Sequence, residues 1–178
     1  MPNLRSLFGL PVLSVDLGRQ LGKVEEFIID SQMTELKALL TTKPDFSQDC
    51  QNILETDGQN LFGALFTNLF RIGPDAVMVR NERAVEDLSL FCRTDCFYYS
   101  SRLLDKPIYT NTGFSLGVLA DIVFDETTGE IYTYQISDGI FFDILYGRRL
   151  MPPPKAQVVG ADMLIVPDAM EKLVYYVD

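Results

Sequence analysis

Histidine is absent from the 178 residues, which removes every Ser–His, Cys–His and His-ligated metal arrangement. The side chains left for acid–base chemistry are the carboxylates Asp16, Asp30, Asp121, Asp125 and Asp143. Asp30 and Asp125 each end an apolar run just before a turn, where an aspartate bonds nearby backbone N–H groups. That role outweighs catalysis at both positions. The stretch Asp-Glu-Thr-Thr-Gly-Glu at 125–130 has the oxygen-bearing residues of a calcium loop. Such a loop, however, alternates ligands over about a dozen residues and ends in a bidentate Glu, so a hairpin turn is the better reading. Cys92 and Cys96 would share one side of a helix and could hold half a metal site. With no second pair, and Cys50 distant in sequence, plain thiols are expected. No catalytic, cofactor-binding or metal-ligating residue is therefore assigned, and the chain is read as not an enzyme.

Recognition chemistry has stronger candidates. Phe141, Phe142 and Tyr146 stand with Ile144 and Leu145 beside Arg148 and Arg149, and aromatics flanked by arginine are enriched at protein interfaces. Phe141, Phe142, Tyr146, Arg148 and Arg149 are the candidate partner-binding residues. At least half of this apolar run is expected to complete the core instead. Three consecutive prolines, 152–154, have the makings of a polyproline II ligand, although stiffening a connection is the simpler role.

The elements that must position these residues come as two copies. Residues 7–30, LFGLPVLSVDLGRQLGKVEEFIID, return in degenerate form at 103–125, LLDKPIYTNTGFSLGVLADIVFD. Leu7, Pro11 and Val12 answer to Leu103, Pro107 and Ile108 at a separation of 96 residues; Gly22, Ile28 and Asp30 answer to Gly117, Val123 and Asp125 at 95. One residue is lost in the intervening turn. A second pair, IGPDAVMV at 72–79 and VGADMLIV at 159–166, follows in the same order. Two motifs repeated in order at so long a period indicate two small domains rather than a solenoid. The boundaries are drawn at 1–82 and 102–178, with 83–101 as connection.

Within each copy a short strand, a Gly-containing turn and a longer strand are expected. Glu25 and Glu26 interrupt the alternation of the longer strand as a bulge would. Residues 43–60 are loop-like, 61–69 are open between helix and strand, and 82–90 are expected as a short helix. Phe97, Tyr98 and Tyr99 are too apolar for a free linker and are expected between the domains, making their relation fairly rigid. Residues 169–176 end the chain as a helix or strand. The fold class is mainly β: two tandem small barrel-like sheets, each with a modest core, with short helices in the connection and at the C-terminus.

An apolar fraction of 47 % and a formal charge of −10 describe an acidic globular chain. Such a charge repels phosphate backbones, so direct nucleic-acid binding is disfavoured. Residues 1–5 lead straight into the first motif without a secretory h-region, no apolar run is long enough to cross a bilayer, and three cysteines are sparse for a secreted framework. The expected location is cytoplasmic.

The Pro-Val strand, the Gly-containing hairpin, Leu21-Gly22-Lys23-Val24 and the closing Ile72-Gly73 strand resemble the PRC-barrel domain, present twice. In the second copy Val118 replaces Lys23, and 151–154 stands where the family has an apolar-Pro-Phe segment. The resemblance implies a strongly bent β-barrel and a role by association. The family includes the cytoplasmic part of the photosynthetic reaction centre H subunit and the C-terminal domain of the ribosome maturation factor, with no shared catalytic residues. The reading is a non-enzymatic adaptor that holds a protein partner, at a photosynthetic or other membrane-bound complex in peripheral association. One alternative is a ribosome-assembly or RNA-processing factor acting through a ribosomal protein. Another is a small-ligand binder or enzyme using acidic residues between the domains, which would need a deep pocket with convergent carboxylates or Tyr109, Tyr132 and Tyr134.

Overall fold

A computed structural model of the chain describes residues 1–42, 61–93, 97–139, 143, 147–155 and 157–176. In the first half, β1 (Pro11–Ser14) turns back into the long β2 (Arg19–Asp30), with Gly18 supplying the left-handed φ of +59° that the turn needs. β3 (Leu36–Thr41) and β4 (Phe62–Leu65) continue the antiparallel run. β5 (Leu69–Ile72) leads into β6 (Val77–Val79), which returns to lie parallel to β1. β7 (Glu86–Asp87) adds to β4, and β8 (Phe97–Tyr99) adds to β2. The second half contains β9 (Pro107–Thr110), β10 (Ser115–Phe124), β11 (Ile131–Ser137), β12 (Arg149–Met151), β13 (Val158–Val159), β14 (Leu164–Val166) and β15 (Tyr175–Tyr176).

The spatial orders are β5-β6-β1-β2-β3-β4-β7 and β13-β14-β9-β10-β11-β12-β15, identical position for position. The sequence duplication is thus a duplication of strand order, including the parallel pair that brings the closing strand beside the first: Val12 opposite Val77, and Ile108 opposite Leu164. The interruption at Glu25 is the expected bulge, since the β2–β3 register shifts between Val24 and Glu26. The helix expected over 82–90 is not there. A 3₁₀ turn, Glu82–Ala84, is capped by the Asn81 side chain and gives way to β7, because Gly63 of β4 offers a partner to Glu86. At the C-terminus a 3₁₀ turn, Asp168–Leu173, precedes β15, so both forms expected there are present in succession.

The segments leading into the halves are exchanged. Asn3, ahead of the first half, bridges to Val123 of β10, and Phe124 N–H donates to the Pro2 carbonyl at 3.3 Å. Tyr99, ahead of the second half, pairs with Ile28 of β2. Asn3 and Tyr99 are related by the repeat separation, as are Ile28 and Val123. Each leader therefore pairs with the other half, the second as strand β8 and the first through a single bridge. Leu4, Leu7 and Leu103 behind the leaders are buried.

The β2–β3 and β10–β11 turns also meet. Leu36 N–H donates to Gly129 O and Ile131 N–H to Thr34 O, both at 2.8 Å, around a bridge between Glu35 and Glu130. Phe66 meets Phe124 edge-on at 6.0 Å, and Met33 is buried among residues of the second half. The apolar interior is accordingly one continuous cluster running from Leu4 to Met170, not the two separate cores expected. Units of about 80 residues bury a smaller share of their surface than larger domains do, and here each completes its interior with the other. Phe97 and Tyr99 are half-buried against a smaller satellite of Ile28, Ala38, Leu40 and Leu88, while Tyr98 packs on the main cluster.

Candidate functional site

The aspartates are held by backbone. Asp30 accepts Thr34 N–H at 2.7 Å and Glu35 N–H at 2.8 Å, and a further bond from the Thr34 hydroxyl at 3.0 Å. Asp125 accepts Thr127 and Thr128 N–H, each at 2.8 Å, and the Tyr132 hydroxyl at 2.8 Å. These bonds, the Thr128 N–H foremost, draw its pKa down to about 2. Residues 125–130 are the turn that the spacing indicated. Among the described residues no group of three or more carboxylate or thiol side chains is placed to hold a metal ion.

Asp121 is a different case. It is 1 % exposed, and its Oδ1 accepts Arg5 N–H at 3.1 Å and Ile122 N–H at 2.9 Å. Burial raises its pKa, while the two N–H donors oppose the shift. Glu26, its counterpart in the first half, accepts Phe27 N–H at 3.0 Å and Ser101 N–H at 3.1 Å. Each carboxylate thus ties down the leader that arrives from the other half. Cys92 lies in the Phe91–Arg93 3₁₀ turn with its thiol pushed up by burial; Cys50 and Cys96 lie outside the described residues.

The space between the halves is filled by Met33, Phe66, Phe124 and Tyr134 and leaves no deep acidic pocket there among the described residues. The tyrosines do not converge. Tyr134 is buried in the seam, Tyr132 bonds Asp125, and Tyr109 lines an open groove of 720 Å³ on the second sheet. Arg5, Asp105, Asp138, Asp143 and Arg148 rim that groove. Asp105 pairs with Arg5 at 2.6 Å, Asp138 with Arg149, and Asp143 with the Ser137 hydroxyl at 2.6 Å and Arg148 at 3.7 Å. Carboxylates held this way offer a hydrogen-bonding rim.

Of the candidate partner-binding residues, Phe141, Phe142 and Tyr146 lie outside the described residues. Arg149 is a clamp between strands: its guanidinium donates to Leu116 O at 2.5 Å and to Asp138, and its side chain is 18 % exposed. Arg148, 44 % exposed, donates to Gln135 at 3.1 Å. Sequence reading passed over Phe70, half-exposed on β5 with the Arg80 guanidinium 4.5 Å from its ring centre. The signal was available as an aromatic beside Arg71, followed by Arg80 and Arg83, in a chain otherwise rich in acid.

No helix among the described residues is long and apolar enough to cross a membrane. No curated protein matches the chain. The PRC-barrel domain model matches it twice, over residues 3–84 and 96–173. Such domains are in general interaction folds without catalytic machinery of their own. With two matches lying over two sheets of identical strand order, the chain belongs to the PRC-barrel family, as a tandem duplication.

Proposed function

We propose that this chain is a non-enzymatic adaptor that binds a protein partner through its duplicated PRC-barrel unit. The observation that carries this reading is the use made of the carboxylates. Asp30, Asp121 and Asp125 are tied to backbone N–H groups and Asp143 to Ser137 and Arg148, so four of the five aspartates available for proton transfer, all but Asp16, are committed to architecture. The two separate cores from which this reading set out are replaced by one shared interior, so the reading rests on the carboxylates and on the outer faces of the sheets. With the apolar interior shared between them, the two sheets, drawn at 1–82 and 102–178 with 83–101 as connection, are proposed to offer their outer faces together, which suits a scaffold. Phe141, Phe142, Tyr146, Arg148 and Arg149 remain the proposed contacts on the second half.

Two settings follow from the family: peripheral attachment to a membrane-bound complex such as a photosynthetic one, and an assembling ribosome reached through a ribosomal protein. Cross-linking in native cells, followed by mass spectrometry of what is attached, tests the adaptor role, with a discrete protein partner expected. Co-sedimentation with ribosomal subunits separates the two settings. Recovery of the chain with small metabolites alone, and no cross-linked protein, overturns the reading in favour of ligand binding.

A further inference from the structure

We infer that the outer edge of the first sheet, around Phe70, is a docking site for an extended acidic protein segment with an apolar anchor. The inference rests on the adaptor reading and deepens it. β5 is the terminal strand of its sheet, and no strand among the described residues pairs with its outer side. Its register against β6 passes from Leu69–Val79 to Arg71–Met78, which leaves Phe70 in a bulge, 50 % exposed. An aromatic ring held outward on a sheet edge keeps in water the apolar area that folding would otherwise bury.

Single exposed apolar residues are ordinary; here several are gathered by hydrogen bonds. Val15 N–H donates to Val79 O and Asp16 N–H to Arg80 O, both at 2.9 Å, so the β1–β2 turn is fastened to the chain leaving β6. That turn exposes Val15 and Leu17, at 45 % and 48 %. Arg80 lies over the Phe70 ring, where a guanidinium keeps its planar donors free for a carboxylate. Arg71 and Arg83 are exposed and make no ion pair among the described residues, and Arg19 is bridged to Glu82 at 3.1 Å.

Charge identifies the occupant. The protein carries −10 overall, yet on β5, β6 and the turns joined to them Arg19, Arg71, Arg80 and Arg83 outnumber Asp16, Asp75 and Glu82, with Arg80 directly over the Phe70 ring, and at physiological salt only charges within about 8 Å are strongly felt. An acidic segment is attracted to this edge and repelled from the rest of the surface. A free strand edge adds main-chain hydrogen bonds for an extended peptide, which a lipid surface cannot use. The second half lacks the device: by the repeat, Gln157 stands where Phe70 does and donates to Ser31 O at 3.3 Å.

The test is a random-peptide phage library panned against the intact chain, with the selected peptides synthesised and titrated by fluorescence anisotropy at low and high salt. Peptides rich in Asp and Glu with a large apolar residue are expected, binding more weakly as salt rises. Phe70→Ala and Arg80→Glu should each weaken binding about tenfold or more, with melting temperature and circular dichroism unchanged, and a change at the exposed Lys172 of the second half, Lys172→Ala, should have no effect. Selection of neutral or basic peptides, or indifference to both Phe70→Ala and Arg80→Glu, overturns the proposal. So does sedimentation with phosphatidylserine–phosphatidylcholine vesicles that these two variants abolish. A cross-linked protein partner whose binding ignores both variants overturns this surface while leaving the adaptor reading in place.

Discussion

The hydroxyl of Tyr134, carried by the second sheet, donates to the main-chain carbonyl of Met33 in the β2–β3 turn of the first, at 2.5 Å. Tyr134 and Met33 are each 1 % exposed. Tyr134→Phe leaves that carbonyl buried without a donor and should cost about 1–3 kcal/mol. Met33→Ala removes most of a side chain from the interior of the other half and should cost about 2–5 kcal/mol. Urea denaturation monitored separately in each half is expected to give one coincident transition in both variants, because the interior is shared. Separate transitions would contradict a single cooperative unit.

Asp121 tests the exchange of leaders. Asp121→Ala strips the acceptor from Arg5 and Ile122 N–H and should destabilise by about 1–3 kcal/mol. Asp121→Asn keeps an acceptor oxygen and removes a buried ionisable group, so it should retain or exceed the parent stability near neutral pH. Burial raises the Asp121 pKa in the fold. Its contribution is therefore full below the unfolded value and is withdrawn as pH rises through the folded one. The Asn variant should lose that slope in a series of melting curves.

Asp125 acts with the opposite sign. Its pKa falls from 3.8 to about 2 under the Thr128 N–H and its companions. It stabilises the fold above the unfolded value, and that stability is lost as pH drops through the folded one. Asp168, lowered by the Thr112 N–H, works in the same direction. Asp125→Asn should flatten the fall of melting temperature between pH 3.8 and about 2; an unchanged slope would mean that the turn is not held by the carboxylate.

Gly129 and Gly113 separate backbone strain from crowding. Both have left-handed φ, +81° and +85°. A Cβ at Gly113 meets nothing within 4 Å, whereas at Gly129 it would stand 2.9 Å from Leu36 O and 2.9 Å from the Phe66 ring. Gly113→Ala should cost about 1–2 kcal/mol, the left-handed penalty alone. Gly129→Ala should add overpacking of about 1–3 kcal/mol at the seam. Equal melting temperatures for the two variants would contradict the close approach of the turns.

Much of the sheet architecture was legible because its determinants are local. Gly18 and Gly113 mark turns that need left-handed backbone, Asp30 and Asp125 anchor turns through bonds within a few residues, and the paired glutamates break the alternation of β2 where the bulge falls. The 82–90 stretch misled because helical residue types do not reveal that Gly63 stands waiting as a strand partner. That Arg149 reaches back to Leu116 and Asp138 is not legible in the sequence, because both partners are brought to it by the pairing of strands.

By itself, the sequence determined that a strand–turn–strand motif and its closing strand are written twice and that no histidine chemistry is available. Period-two alternation fixes which residues share a face of a strand, but says nothing about which neighbour covers that face. Tertiary structure alone decided that the leaders cross over, that Met33 and Tyr134 meet in one interior, and that Phe70 stays outside with Arg80 upon it. Those outcomes depend on contacts far apart in the chain, where two small units enlarge their buried interior by sharing it.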